Sequence, residues 1–170
     1  MNQFQSVSPE SVDPVFQKIG KDWMLISASD GKTANTMTAS WGGLGVLWNK
    51  QIAVCFIRPE RFTYPIVEEA THLSLSFLPE QYRAALSFCG SHSGRDGDKF
   101  EAAGLTKLET ENGVPYPAEA ELVLICRKLY ADDLNAESFI DKAALEKFYG
   151  ASGGLHRFYV CEIEKVLQSN

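Results

Sequence analysis

The sequence predicts a mainly β fold, a β-barrel with short added helices, and three observations carry that expectation. Six segments rich in β-branched, aromatic or alternating residues recur along the 170-residue chain. Most are separated by stretches too short for the long crossover helices of a parallel sheet. Between the first two, SASDGKTAN holds Asp30-Gly31, a dipeptide suited to a hairpin turn, so that pair is expected to run antiparallel.

In chain order the expected strands are DWMLISAS (22–29), the stretch opening NTMTASW (35–41), QIAVCFIR (51–58), HLSLSFL (72–78), ELVLICRKLYA (121–131) and RFYVCEIEKVL (157–167). Helices are expected to be short. TYPIVEEA (63–70) offers Thr63 as an N-cap with proline in the first turn, and PEQYRAALSF (79–88) spaces Tyr82, Ala85 and Leu86 for one buried face. A third turn, DGDKFEAAG, is stopped by Gly104. Residues 132–156, mixed and glycine-ended, read as an excursion between two long strands that could serve as a lid or subunit contact. No repeat, low-complexity tract or linker divides the chain, so one domain over residues 1–170 is expected.

A formal charge of −6 argues against general affinity for nucleic acid or anionic membrane, so any bound anion must be held by local geometry. The polar N-terminal run lacks the basic and apolar regions of a signal peptide, and no run of 18 apolar residues occurs; the expected location is cytoplasmic. Cys55, Cys89, Cys126 and Cys161 are widely spaced without CxxC or close histidines, so no metal site is expected.

Four stretches have chemical content. In NTMTASWGGLG (35–45), strand alternation places Thr36, Thr38 and Ser40 on one side and Met37, Ala39 and Trp41 on the other, and Gly42, Gly43 and Gly45 allow close backbone approach. An ordinary solvent-facing strand is the alternative. In FIRPERFTYPIVEEA (56–70), Arg58 and Arg61 precede the helix expected at Thr63, a combination able to hold a phosphate or simply to be a capped helix with solvated arginines. In SFCGSHSGRDGDKF (87–100), Ser91, Ser93, Gly94 and Lys99 suit a loop wrapping an anionic ligand. Cys89 and His92 there lack an orienting third group for a nucleophile–base pair. His156 and Arg157 at the last strand's entrance could meet a charged ligand or lie at the surface. Glu68, Glu69, Glu119 and Glu121 are assigned no role.

In combination, N-T-M-T-A-S-W-G-G, then F-I-R-P-x-R-x-T, then S-L-S-F, then S-F-C-G-S-x-S-G-R-D-x-D-K closely resembles the flavoredoxin-like branch of the flavin reductase family. The resemblance runs over nearly the whole chain, from GKDWMLISA to HRFYVCEI. It implies an FMN-binding split barrel, a Greek-key barrel of about six strands, in a homodimer with FMN near the subunit interface. By position it implies that Thr36, Met37, Thr38, Ala39, Ser40 and Trp41 line the isoalloxazine and ribityl chain, that Arg58, Arg61 and Thr63 hold the phosphate, and that Ser91, Ser93, Gly94 and Lys99 close over the flavin. His156 falls where some relatives place a residue near the nicotinamide or acceptor.

The activity so implied is an FMN-dependent oxidoreductase drawing electrons from NAD(P)H or a protein donor, with the flavin carrying the chemistry and the protein supplying position. That division of labour accounts for the absence of a triad, metal cluster or carboxylate pair. The alternative is an FMN-holding electron carrier or redox-responsive protein without turnover. A pyridoxine-phosphate oxidase-like role on the related barrel is more distant, since its phosphate-ligand residues are not evident.

Overall fold

The computed structural model describes residues 8–11, 13–150 and 154–169. Most of the polar N-terminal run, and residues 151–153 of the 132–156 excursion, lie outside the described residues. The strands are β1 Met24–Ser29, β2 Ala34–Ala39, β3 Gly42–Leu47, β4 Lys50–Ile57, β5 His72–Phe77, β6 Lys107–Glu109, β7 Pro115–Pro117, β8 Leu122–Asp133 and β9 Arg157–Gln168. The helices are α1 Val15–Gln17, α2 Thr63–Glu69, α3 Arg83–Ser91, α4 Lys99–Ala102 and α5 Lys142–Tyr149.

Seven strands form one antiparallel sheet in the order β2-β1-β5-β8-β9-β4-β3, while β6 and β7 make a small separate ribbon. The outermost strands, β2 and β3, are separated in sequence only by Ser40 and Trp41. A flat seven-stranded sheet would hold its edges about 29 Å apart at the usual spacing. The link from Ala39 to Gly42 reaches at most about 11 Å. The sheet must therefore curl until its edges meet, leaving a seam without ladder hydrogen bonds, as a split barrel requires. The 12-residue strands β8 and β9 bend around the curve with register shifts at Ile125/Cys126 and Lys128/Tyr130, where bulges sharpen the twist.

All six expected strands are present, and Asp30-Gly31 turns the chain between β1 and β2, with the Asp30 carboxylate accepting the N–H groups of Lys32 and Thr33. The glycine stretch differs from its ligand-loop expectation. Gly42, Gly43 and Gly45 belong to edge strand β3, which returns to β4 through Trp48-Asn49, both at positive φ (52° and 56°) as a tight primed turn requires. At Gly42 the reason is packing, because a Cβ would stand 2.6 Å from the Val54 carbonyl oxygen.

The barrel interior is filled by residues such as Met24, Ile26, Leu73, Leu75 and Tyr159, with Ile66 and Val67 of α2 packed against them. Cys55, Cys126 and Cys161 lie in this core as small buried hydrophobes. A second cluster packs α3 and α4 onto the sheet's outer face through Leu25, Ile125, Leu86, Cys89 and Phe100. Thr63 does not cap α2: the cap position is Phe62, and the buried Thr63 hydroxyl accepts from Asn35 Nδ2 at 2.9 Å. The excursion contributes the end of β8 and helix α5, whose cap is Asp141. Among the described residues no helix is long and apolar enough to cross a membrane.

Candidate functional site

The seam opens into two depressions that share Arg61. One is a cleft of about 290 Å³ lined by the β2 end from Met37 to Trp41, by Phe56, Arg58, Arg61 and Gly90, and by His156. The other is a recess of about 140 Å³ into which Asn35, Arg61, Thr63, Ser91, Ser93 and Lys99 converge. Gly94 also lines the recess, where a Cβ would stand 2.5 Å from both Asn35 Oδ1 and Phe62 Cδ1, so glycine lets this loop close onto β2.

Arg61, Arg95 and Lys99 line the recess together with one carboxylate, Glu60, and Arg61 and Lys99 are tied to the C-terminal turn of α3. Arg61 Nη1 donates to the Gly90 carbonyl at 2.9 Å, and Lys99 Nζ donates to the Cys89 carbonyl at 2.6 Å. These bonds are favourable at the negative end of the helix and pin the loop to the barrel. Each cation keeps further N–H donors, since a guanidinium has five and an ammonium three. Lys99 is 4% exposed, and burial, reinforced by Arg61 and opposed by Cys89, brings its pKa down to about 8. Burial, with Arg58 beside it, also depresses the Arg61 guanidinium. Positive charge is thus concentrated in a chain that is acidic overall.

The expected phosphate trio is divided. Arg61 and Thr63 face the recess, whereas Arg58 lines the cleft, where its Nη2 donates to the Phe148 carbonyl at 2.8 Å and its guanidinium lies 5.3 Å from the Tyr149 ring centre. Arg61 reaches both depressions and Arg58 only the cleft, because a turn in the chain, with the Arg61 N–H bonded to the Arg58 carbonyl, aims the two side chains differently.

The hydroxyl stripe expected on β2 is largely committed to protein. Thr36 is fully buried, shares a 2.8 Å hydrogen bond with Ser27 Oγ and does not line the cleft, which corrects its expected place beside a ligand. Thr38 Oγ1 donates to the Leu86 carbonyl at 2.5 Å. The reason is that α3 and α4 cover this side of β2. Ser40 stands beyond the end of the strand and lines the cleft. Met37 and Ala39, on the opposite side, reach both the core and the cleft wall, while Trp41 is 39% exposed at the cleft mouth.

His156 and Arg157 diverge, as successive strand residues must. Arg157 pairs with Glu68 and Asp133 away from the cleft, and Glu68 also accepts the Tyr159 hydroxyl at 2.6 Å, which gives that glutamate a structural task. His156 faces the cleft with its ring 4.9 Å from Trp41, and its Nδ1 lies 2.9 Å from the Tyr149 hydroxyl. Burial first, then the positive charges of Arg58 and Arg61, lower its pKa to about 4, so the ring is neutral at pH 7. Cys89 and His92 form no dyad, because Cys89 is fully buried against α4 and His92 stacks on Phe88 at 4.0 Å.

Sequence reasoning missed Asn35, Phe56 and Tyr149. Asn35 opens the quoted motif and sits two positions before Met37, so strand alternation could have flagged it. Tyr149 lies in the excursion, where nothing local signals that α5 folds back on the seam. Among the described residues no group of three His, Cys, Asp or Glu side chains could hold a metal.

The family model "Flavin reductase like domain" matches residues 16–170. No curated protein matches the sequence. Solved structures similar in fold include an FMN-binding protein from Thermus thermophilus with bound p-hydroxybenzaldehyde, at 20% identity and TM-score 0.69, covering all of this chain and 83% of that one. A flavoredoxin from Methanosarcina acetivorans is 19% identical with TM-score 0.69 over 88% of this chain and 69% of that one. A Streptomyces globisporus NADH:FAD oxidoreductase is 16% identical with TM-score 0.65, covering 99% and 89% respectively.

Proposed function

Because the chain belongs to the flavin reductase-like family, we propose that it is an FMN-dependent oxidoreductase passing electrons from NAD(P)H, or from a protein donor, through FMN to a flavin or another acceptor. The observation that carries this reading is Arg61, which lies on the boundary between a cationic recess and an aromatic-walled cleft. A phosphate dianion matches the recess, where Arg61 and Lys99 supply charge and Ser91, Ser93 and the Asn35–Thr63 pair supply polar groups. A planar ring system matches the cleft, whose walls are the backbone and side chains from Thr38 to Trp41 together with Phe56.

FMN, when bound, supplies the two-electron chemistry, taking hydride equivalents from a donor and passing electrons on. The chain's own residues bind, orient and exclude water. In this reading Arg61 and Lys99 anchor the phosphate, Gly94 lets the loop close, and Trp41 and Phe56 shield the reacting face. Thr36 acts indirectly, by bonding β2 to β1 through Ser27, and Arg58 acts at the cleft through α5. His156 offers a neutral polar edge to a nicotinamide or acceptor. That structures of similar fold include an FMN-binding protein and an NADH:FAD oxidoreductase supports this reading.

A homodimer of single-domain subunits belongs to the proposal. Leu44, Val46 and Trp48 are exposed along edge strand β3, a surface that a second copy would cover. Four buried free thiols suit a reducing cytoplasm.

The test is anaerobic mixing of FMN-loaded protein with NADH or NADPH while flavin absorbance is followed. Bleaching within a catalytic timescale by either nucleotide supports the enzyme. Slow bleaching by both, with rapid reduction by a partner protein, would make the chain an electron carrier. A colourless protein that fails to take up added FMN would refute both readings.

A further inference from the structure

We infer that Tyr149 is a positioning residue: its hydroxyl donates to His156 Nδ1, fixing the imidazole in the Nε2–H tautomer so that the cleft presents a hydrogen-bond donor suited to a carbonyl oxygen of a planar substrate. The use of that donor rests on the proposed oxidoreductase reading. The tautomer itself does not.

The direction of the hydrogen bond follows from the chemistry of its partners. Tyr149 is 8% exposed, and burial pushes its phenol pKa up, so the oxygen keeps its proton. That proton needs an acceptor, and His156 Nδ1, at 2.9 Å, is the partner present. A neutral imidazole carries one N–H and one lone pair, so a lone pair at Nδ1 places the proton on Nε2. Among the described residues Nε2 has no hydrogen-bond partner, and the ring lines the cleft.

The geometry around the ring holds this arrangement in one orientation. Trp41 lies 4.9 Å from the His156 ring, Phe56 6.4 Å away edge-on, and the Tyr149 ring 5.7 Å away at 77°. Arg58 ties α5 to the barrel through the Phe148 carbonyl, and Phe148 meets Trp41 edge-to-face at 5.3 Å. The excursion helix therefore delivers Tyr149 to the back of the imidazole while leaving the front edge to the cleft. A substrate atom there must accept a hydrogen bond, which selects an amide, quinone or enone oxygen over an N–H group.

The experiment uses the full chain, labelled with ¹⁵N-histidine, as wild type and as Tyr149→Phe. Long-range nitrogen–proton correlation spectra at pH 7, with and without FMN, report which imidazole nitrogen carries the proton. Wild-type His156 is expected as a single Nε2–H tautomer with a hydrogen-bonded Nδ1, and Tyr149→Phe is expected to lose that Nδ1 signature and admit the second tautomer. A proton on Nδ1 in the wild type, or an unchanged spectrum in Tyr149→Phe, would overturn the inference.

A double-mutant cycle in anaerobic flavin reduction then separates positioning from mere packing. Tyr149→Phe is expected to slow reduction several-fold in the wild-type background and to have no further effect in His156→Ala. Equal losses in both backgrounds would assign Tyr149 a role independent of His156 and overturn the inference. If neither nucleotide reduces the flavin in wild type, the proposed function has failed, and the tautomer spectra still decide the Tyr149–His156 assignment.

Discussion

Lys99 Nζ donates to the carbonyl oxygen of Cys89 at 2.6 Å, so a buried ammonium both caps the end of α3 and faces the recess occupied by Arg61. Its proton is consequently contested between a desolvated site that disfavours charge and an incoming anion that would favour it. This conflict makes the recess sensitive to pH.

Because burial lowers the Lys99 pKa from 10.5 to about 8, the folded chain releases this proton before the unfolded chain does. Between those values the unfolded state binds more protons, so this residue's contribution to stability rises with pH across the window. Phosphate binding should follow the opposite course. FMN affinity is expected to fall as pH rises above 8, by at most about tenfold per unit, and Lys99→Met should flatten the profile. Fluorescence titration of flavin between pH 7 and 9.5 checks both statements.

Arg61 and Thr63 both face the recess, Arg61 with further N–H donors and Thr63 with its hydroxyl accepting from Asn35. Arg61→Ala should weaken FMN roughly tenfold to a hundredfold more than riboflavin, the size of a lost charge-assisted hydrogen bond. Thr63→Val removes an acceptor from Asn35 beside the proposed phosphate and should cost about 1 kcal/mol of stability, with FMN weakened more than riboflavin. Equal losses for both ligands in Arg61→Ala would place the phosphate elsewhere.

His156 should remain neutral far into the acid range. Its pKa falls from 6.5 to about 4 on folding, so between these values the unfolded chain binds the extra proton. The stability associated with the neutral ring is present above pH 6.5 and is lost as pH falls towards 4. Histidine NMR titration is expected to show an imidazole titrating near pH 4, absent in His156→Ala.

Gly42→Ala would place a Cβ 2.6 Å from the backbone oxygen of Val54, with no flexible side chain to yield. The expected cost is about 1–3 kcal/mol, read as a lower urea midpoint. Gly43→Ala, with nothing within 4 Å of its Cβ, should be nearly neutral to packing and serves as the control.

Strand identity was legible in the sequence wherever side chains alternate or β-branched residues cluster, because those patterns reflect burial on a pleated surface. All six expected strands carry such a pattern, and Asp30-Gly31 marked their first turn. Strand β3 was hidden, because glycines carry no side-chain period to read. Its turn, Trp48-Asn49, takes positive φ at both residues, and of the two only Asn49 is of a type that favours it. The recess was partly legible as an arginine, a threonine and a serine–glycine loop.

The sequence by itself determined a mainly β chain, its family resemblance and the residue types able to hold an anion, since these depend on local pattern and motif order. Only the tertiary structure decided that Arg58 at the cleft binds the Phe148 carbonyl of α5, that Thr36 lies bonded to Ser27 beneath the helices packed on β2, and that Tyr149 reaches His156. The Thr36–Ser27 bond lies within one hairpin and the Tyr149–His156 bond spans seven residues, whereas the curl of the sheet until β2 and β3 meet brings Trp41 against His156, more than a hundred positions away. No local propensity encodes that closure. It follows from a two-residue link between the outer strands and from the apolar core that closure buries.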